Sequence, residues 1–303
     1  MSAFPQFFDA REKFGYKCPG IQQIYNQGQC KAGWAVTIAS VISDQICINS
    51  NGRTLKMLSA QQLLSCCKEC CGCNGGIIMK AWEWVLKNGL VTGSIYGDKK
   101  SCFPYKMPPA RPSKYGSSGH GGEWATVNSA LPECPGTCMD GSQRSSNFSN
   151  TSYIINFEKC RVVRNYELWP RKDQFGIMEA LMTHGPLQVS MHLYEDFRYY
   201  TNGIYVHKTG VFEGDHAAKL IGWGTWKSKD YWLLMNSFGN TSWGMKGTFW
   251  IPRDGTDNVE FGYAIIGPIF TSIASCTHIT VIQLEKDVEE DQRRDGWMLL
   301  NAI

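Results

Sequence analysis

The chain has 303 residues, 43% of them apolar and 13% aromatic, with 30 basic and 27 acidic residues for a formal net charge of +3. This is enough apolar material for one large domain or two small ones, and it excludes a disordered chain. The charges are dispersed, with no basic run to serve nucleic acid, and no stretch approaches the roughly 20 apolar residues of a membrane span.

In chain order, the first predicted element is a buried helix over Trp34 to Cys47, apolar on more than one face and without Gly or Pro. Ser59-Ala60-Gln61-Gln62 has the form of a capping box that opens a short helix into Leu63-Leu64. A third helix is predicted over Ile77 to Asn88. Ile77, Ala81, Trp84 and Val85 share a face there, Lys87 sits in the last turn and Gly89 ends it. From Ser101 to about Cys160 the composition turns to Pro, Gly, Ser and Asn, which predicts a long loop with a function or with crosslinks to pin it.

The last third reads mostly as strands. Asp173 to His184 is one more helix, closed by Gly185-Pro186. Leu187, Val189, Met191 and Leu193 then alternate with Gln188, Ser190, His192 and Tyr194, the pattern of a half-buried strand. Further strands are predicted at Ala217 to Trp223, Tyr231 to Asn236 and Thr248 to Ile251. Helices first and strands later predict an α+β fold of two lobes. Beyond Phe270 the pattern frays, and Glu285 to Asp291 reads as a charged, solvated piece of a tail.

Thirteen cysteines predict a disulfide framework made in an oxidising compartment. The run from Cys66 to Cys73 is dense enough to raise zinc. Zinc sites, however, usually show separated Cys pairs or Cys with His at set spacing, and no histidine follows until His120. No metal or cofactor is therefore expected. Sequons at Asn147, Asn150 and Asn240 are candidate glycosylation sites. The chain opens Met1-Ser2-Ala3-Phe4-Pro5 without an apolar signal region, so the expected extracellular or lysosomal destination implies a leader outside the given sequence.

The chemistry concentrates in Gln27-Gly28-Gln29-Cys30-Lys31-Ala32-Gly33-Trp34-Ala35. This segment resembles the papain-family motif Gln-Gly-x-Cys-Gly-Ser-Cys-Trp-Ala, whose second cysteine is the nucleophile. Here that place is Gly33. Gly214-Asp215-His216-Ala217 resembles the family's general-base segment. Asn236-Ser237-Phe238 resembles the Asn-Ser-Trp that orients the histidine, and Trp243-Gly244 follows. Gln27 matches the side chain that helps form the oxyanion hole. His216 lies 183 positions after Gly33, beyond the roughly 130–150 of the papain pattern. The excess fits an insert at 101–160, where cathepsin B-like proteases carry an occluding loop. Phe8-Asp9-Ala10-Arg11-Glu12, Ile42 to Ile48, Cys73-Asn74-Gly75-Gly76 and Cys102-Phe103-Pro104-Tyr105 are similar to that subfamily.

The resemblance implies a papain-like domain over 4–270. It would comprise a helical left lobe at about 18–100, the insert at about 101–160, and a β-barrel-like right lobe at about 161–270. A tail over 271–303 is of unknown structure. The active-site cleft would run between the lobes, lined by Trp34, Asn74, Gly75, Gly76, Asp215 and Trp243. The disulfides implied are Cys18 with Cys47, Cys30 with Cys73, Cys66 with Cys134 and Cys102 with Cys138, and Cys67 with Cys70 or Cys71.

Several departures fall together. The loop disulfide and the His-His pair of the occluding loop are absent after Pro108-Pro109, Phe238 replaces the tryptophan, and Gly262 stands where cathepsin B has an acidic pocket residue, with Glu260 two positions away. Glycine offers nothing for a base to activate. The expectation is therefore a noncatalytic homologue, similar in that respect to tubulointerstitial nephritis antigen-type proteins. Its implied partners are peptides, protease inhibitors or extracellular matrix. The competing expectation is an active lysosomal or secreted cysteine-type endopeptidase.

Overall fold

The structure is a computed structural model that describes residues 4–109, 131–135, 138, 163–239, 243–262, 264–270 and 301–302. A two-residue strand, β1 (Phe8–Asp9), leads into a five-residue helix, α1 (Ala10–Phe14). Asp9 caps that helix by accepting from Arg11 N at 2.8 Å and also binds the Arg11 guanidinium. Both elements are too short to leave a periodic signal.

Helix α2 (Gly33–Asn49) is buried from Gly33 through Cys47 on every face. It stands between two hydrophobic cores, one gathered around Trp34, Ile38, Trp82 and Val85, the other around Leu187, Val189, Trp223 and Trp232. That position explains a helix with no polar side.

Ser59 caps α3 (Ala60–Cys66), its Oγ accepting from Gln62 N at 2.9 Å. The reciprocal half of the capping box does not form. Ser59 N instead donates to Val91 O, and Gln62 Oε1 accepts from Val91 N, so the pair clamps a neighbouring segment. In α4 (Ile78–Asn88) the buried stripe is Ile78, Ala81, Trp82 and Val85. This corrects the predicted face. Ile77 belongs to strand β2 (Gly76–Ile77), and the fully buried indole is Trp82 rather than Trp84.

The remaining strands are β3 (Val163–Leu168), β4 (Leu187–Tyr194), β5 (Phe212–Trp226), β6 (Lys229–Met235), β7 (Thr248–Pro252), β8 (Ile265–Phe270) and β9 (Asn301–Ala302). Helix α5 (Gln174–Thr183) lies between β3 and β4, and Asp173 caps it by accepting from Gly176 N. Among the described residues nine strands form one sheet with a central path β2-β9-β5-β4-β8-β3, while β1 and β6 pair with β5, and β7 pairs with β6. Every pairing is antiparallel except that of β9 with β5. Among the described residues the sheet is not closed on itself, so the right lobe is an open sheet in an α+β fold.

Strand β4 departs from its predicted half-burial. Gln188 and Ser190 are buried along with Leu187, Val189 and Met191, because the helical lobe covers the face that alternation assigns to solvent. Gln188 uses its amide there. Its Oε1 accepts from Trp82 Nε1 at 2.7 Å and its Nε2 donates to Trp34 O at 3.2 Å. Gln45 Nε2 donates to Pro186 O at 2.7 Å, and Lys219 Nζ meets Asp44 Oδ2 at 2.7 Å. Buried polar groups are tolerated when they are paired, and here the pairing ties α2 and α4 to the sheet.

Candidate active site

Gly33 is the first residue of α2, preceded by Ala32, which makes no side-chain cap. A Cβ on Gly33 would lie 3.3 Å from Ala217 O, 3.4 Å from Gln27 Oε1 and 3.5 Å from His216 Cε1. Position 33 therefore faces the imidazole across the junction of the lobes, at the positive end of a 17-residue helix.

Strand β5 carries His216, which is buried, and its Nε2 lies 2.8 Å from Asn236 Oδ1. A carboxamide oxygen only accepts, so the shared proton sits on His216 Nε2. Ser237 N donates to the same oxygen at 2.8 Å and fixes the amide. Aromatic rings enclose the pair. Phe238 is 5.2 Å from the His216 ring and Phe197 is 6.1 Å from it, and Trp243 packs on both phenylalanines. Trp243 Nε1 donates to Phe197 O at 3.0 Å, which satisfies the one polar atom of that indole. Phe238 thus keeps an aromatic wall beside the histidine although the residue is not tryptophan.

Gln27 is buried, and its amide is committed at both ends. Nε2 donates to Cys30 O at 2.9 Å, and Oε1 accepts from Ser237 Oγ at 2.5 Å. Gln27 N donates to Ser237 O at 2.8 Å, and Asn26 bridges Phe238. These contacts stitch the segment before α2 to the one after Asn236. In this arrangement the Gln27 N–H points to the protein's own carbonyl.

On the opposite wall, Trp34 Nε1 donates to Gly72 O at 3.1 Å. Gly75 has φ of 104°, a conformation that favours glycine, and Asn74 is exposed beside it. The Trp34 ring lies directly against Gly76, where a Cβ would fall 2.2 Å from Trp34 Cδ2. Gly76→Ala is accordingly expected to push the β2 edge off the indole and to cost about 1–3 kcal/mol, read by chemical denaturation.

Asp215 sits next to His216, and its carboxylate lies 3.5 Å from His192 Nε2. Exposed Glu260 approaches the same nitrogen at 3.6 Å. Gly262, with φ of 74°, donates its N–H to Ser190 O at 2.7 Å.

Among the described residues five cystine bridges frame the helical side: Cys18–Cys47, Cys30–Cys73, Cys66–Cys134, Cys67–Cys70 and Cys102–Cys138. Cys30–Cys73 joins the segment before α2 to the Gly75-Gly76 wall. Cys67 takes Cys70, and Cys71 is an exposed thiol in a left-handed conformation. His120, Cys160, Cys276, Asn147, Asn150, Asn240 and the charged run 285–291 lie outside the described residues. Among the described residues no group of His, Cys, Asp and Glu is arranged to hold a metal ion, and no helix is long and apolar enough to cross a membrane.

Three supports were not singled out from sequence. Phe197 backs His216, Ser237 holds Gln27, and the buried Asp44–Lys219 pair connects α2 to β5. A lysine inside the apolar run Ala217 to Trp223 was the available signal for the last. Asp196 is a further organiser, next to Phe197. It accepts from Tyr205 Oη, from Lys208 N and from Thr209 N, and it meets His207 Nδ1 at 3.0 Å.

Partial burial pushes the Asp196 carboxyl up, but these hydrogen bonds outweigh it and hold the group below the ordinary aspartate range. A depressed folded-state pKa gives stability that is present above the unfolded value of about 3.9 and lost as pH falls through the folded value. Asp196→Asn is expected to be less stable than the unsubstituted chain at pH 7. The gap should narrow below about pH 4, in urea titrations followed by tryptophan fluorescence.

The family description that matches the chain, over residues 4–268, is papain family cysteine protease. The chain is 37% identical over 277 residues to Cathepsin B-like cysteine proteinase 6 of Caenorhabditis elegans, covering 90% of this chain and 69% of that protein. It is 36% identical over 258 residues to a Cathepsin B-like cysteine proteinase of Schistosoma japonicum, covering 82% and 68%. Among solved structures it is similar to procathepsin B S9 from Trypanosoma congolense, with a TM-score of 0.68, 29% identity, and coverage of 89% of this chain and 79% of that one. The fold is also shared with digestive procathepsin L 3 of Tenebrio molitor larval midgut, at a TM-score of 0.62, 20% identity, and coverage of 89% and 71%.

Proposed function

As the chain belongs to the papain family of cysteine proteases, and to its cathepsin B-like part by its relatives, we propose that it is a member without hydrolytic power that works by binding extended peptides in its cleft. The observation that carries this is position 33. The family's chemistry needs a thiolate beside the imidazole, and the residue whose Cβ would sit 3.5 Å from His216 Cε1 is glycine. Cys30, the nearest thiol in the motif, is consumed in the bridge to Cys73.

The retained parts are those that shape the cleft: His216 with Asn236, the aromatic wall, the Gly75-Gly76 edge and the Cys30–Cys73 bridge. Five disulfides among the described residues support an extracellular or lysosomal setting. Protease inhibitors and matrix proteins that present an extended segment are partners of the same chemistry. The reading of an active peptidase rests on the intact His216–Asn236 pair.

One assay separates the two. Purified protein is incubated with a dipeptidyl fluorogenic substrate and with an irreversible thiol-directed epoxide. The expected result is neither turnover nor labelling in the cleft. Turnover together with a labelled cleft would overturn the proposal.

A further inference from the structure

Tyr25, Asp44 and the Cys18–Cys47 bridge stand around a cavity of about 230 Å³, none of whose walls is a residue of the cleft. Those walls are predominantly apolar, with Ile21 and Met57 among them, and they include the exposed Leu55, which gives a ligand a way in. The same elements build the candidate active site. Tyr25 O accepts from Gly239 N at 2.8 Å, and Gln27 lies two residues further on. Asp44 lies on α2, which begins at Gly33.

The polar groups of the walls differ in what they have left to offer. Ser43 Oγ donates to Ala39 O at 2.5 Å and accepts from Leu58 N at 2.9 Å. Asp44 Oδ2 is held by Lys219 Nζ at 2.7 Å. Tyr25 is buried, 6% exposed, and its Oη has no hydrogen-bond partner among the described residues. Burial above all, and the Asp44 charge second, push the pKa of this phenol up, so Oη is a neutral donor. A buried donor without a partner is costly, and an acceptor brought to it removes that cost.

Size and chemistry then define the ligand. An apolar cavity of about 150 Å³ takes benzene, so this one takes a ring with a short substituent. Water fits poorly, since it needs two to four polar partners and these walls are mainly apolar. A charged ligand fits poorly as well, because the Asp44 carboxylate already has its lysine and a further buried charge would be unpaired. We propose that the cavity is a binding site for a small uncharged molecule, one ring bearing a carbonyl or ether oxygen that accepts from Tyr25 Oη. The proposal is independent of the peptide-binding reading of the cleft.

The test uses the full chain with acetophenone as probe and cumene, a hydrocarbon of similar shape without the oxygen, as control. Affinities are read by NMR titration. Nuclear Overhauser contacts to the Met57 methyl place each molecule, and loss of that methyl signal in Met57→Leu identifies it. Both molecules are expected to contact Met57. Tyr25→Phe is expected to weaken acetophenone about three- to tenfold, the worth of one hydrogen bond, and to leave cumene within about twofold. Without ligand, Tyr25→Phe is expected to unfold at the same urea concentration or a higher one, since the hydroxyl it removes has no partner.

Three results would overturn the proposal. Absence of any contact at Met57 from either molecule would leave the cavity to water alone. An equal response of acetophenone and cumene to Tyr25→Phe would show that the hydroxyl does not hold the ligand. A lower urea midpoint for the ligand-free Tyr25→Phe chain would show that the hydroxyl is already satisfied.

Discussion

Gly33→Cys is expected to turn an inert cleft into a reactive one. The substituted chain should be labelled irreversibly by a thiol-directed epoxide. It should also hydrolyse a dipeptidyl fluorogenic substrate about 10³-fold or more faster than the unsubstituted chain, a conservative share of what a nucleophile contributes in enzymes of this kind of chemistry. The space exists. A Cβ at position 33 meets only Ala217 O at 3.3 Å closely and has His216 Cε1 and Gln27 Oε1 at 3.5 and 3.4 Å. The electrostatics also exist. The thiol would sit at the first turn of α2 and beside an imidazole already held by Asn236, two influences that bring a cysteine pKa down from about 8.5.

Labelling is expected to recover further than turnover. Alkylation needs only a thiolate, whereas peptide hydrolysis also needs an oxyanion donor, and one of the two Gln27 Nε2 hydrogens is already given to Cys30 O, which constrains where the other points. Loss of one such donor costs about 10²–10³ in rate where it has been measured. A folded Gly33→Cys chain that neither labels nor turns over would mean that the His216 wall no longer serves a residue at 33, and the intact-cleft basis of the binding proposal would go with it.

The second large effect concerns the buried pair Asp44–Lys219. Asp44→Ala is expected to cost about 3–5 kcal/mol of unfolding free energy, measured with urea, because it strands the Lys219 ammonium in the interior. The double replacement Asp44→Leu with Lys219→Met is expected to recover most of that loss. The reasoning lies in the carboxyl itself. Burial raises the Asp44 pKa, and the neighbouring Lys219, acting in the other direction, does not cancel it. Desolvation thus outweighs what the partner returns, so the pair adds little net stability although breaking it is expensive.

Its value is positional. Asp44 lies on the helix that begins at Gly33, and Lys219 lies three residues along the strand from His216. The double variant is therefore predicted to fold well while the register between positions 33 and 216 loosens. In a Gly33→Cys background this should appear as slower epoxide labelling. Equal loss in the single and double variants would contradict the argument.

Much of the site was legible because its parts are local in sequence. Gln27 through Ala35, Gly214 through Ala217 and Asn236 through Trp243 are short segments whose residue types announce a nucleophile position, a base and its orienting amide. The helices were legible where a long run or a cap marks them, as with Asp173 before α5. Misreadings arose where burial depends on what lies opposite. The alternation in β4 assigned Gln188 and Ser190 to solvent, but a helical lobe covers that face. In α4 the periodicity places Ala81 and Val85 on the buried stripe, but Ile77 pairs as a strand opposite Asn301, and the buried indole is Trp82 rather than Trp84.

By itself, then, the sequence determined the resemblance to cathepsin B-like proteases, the α+β class and the missing side chain at position 33. These depend on residue identity and on spacing along the chain. The tertiary structure alone decided that Cys67 takes Cys70, that Gln27 spends its amide on Cys30 and Ser237, and that Asp44 meets Lys219. It alone brought Asn301 and Ala302 between Gly76 and Asp215. Each of those is a choice among chemically equivalent partners, and proximity makes the choice between groups that the sequence leaves far apart.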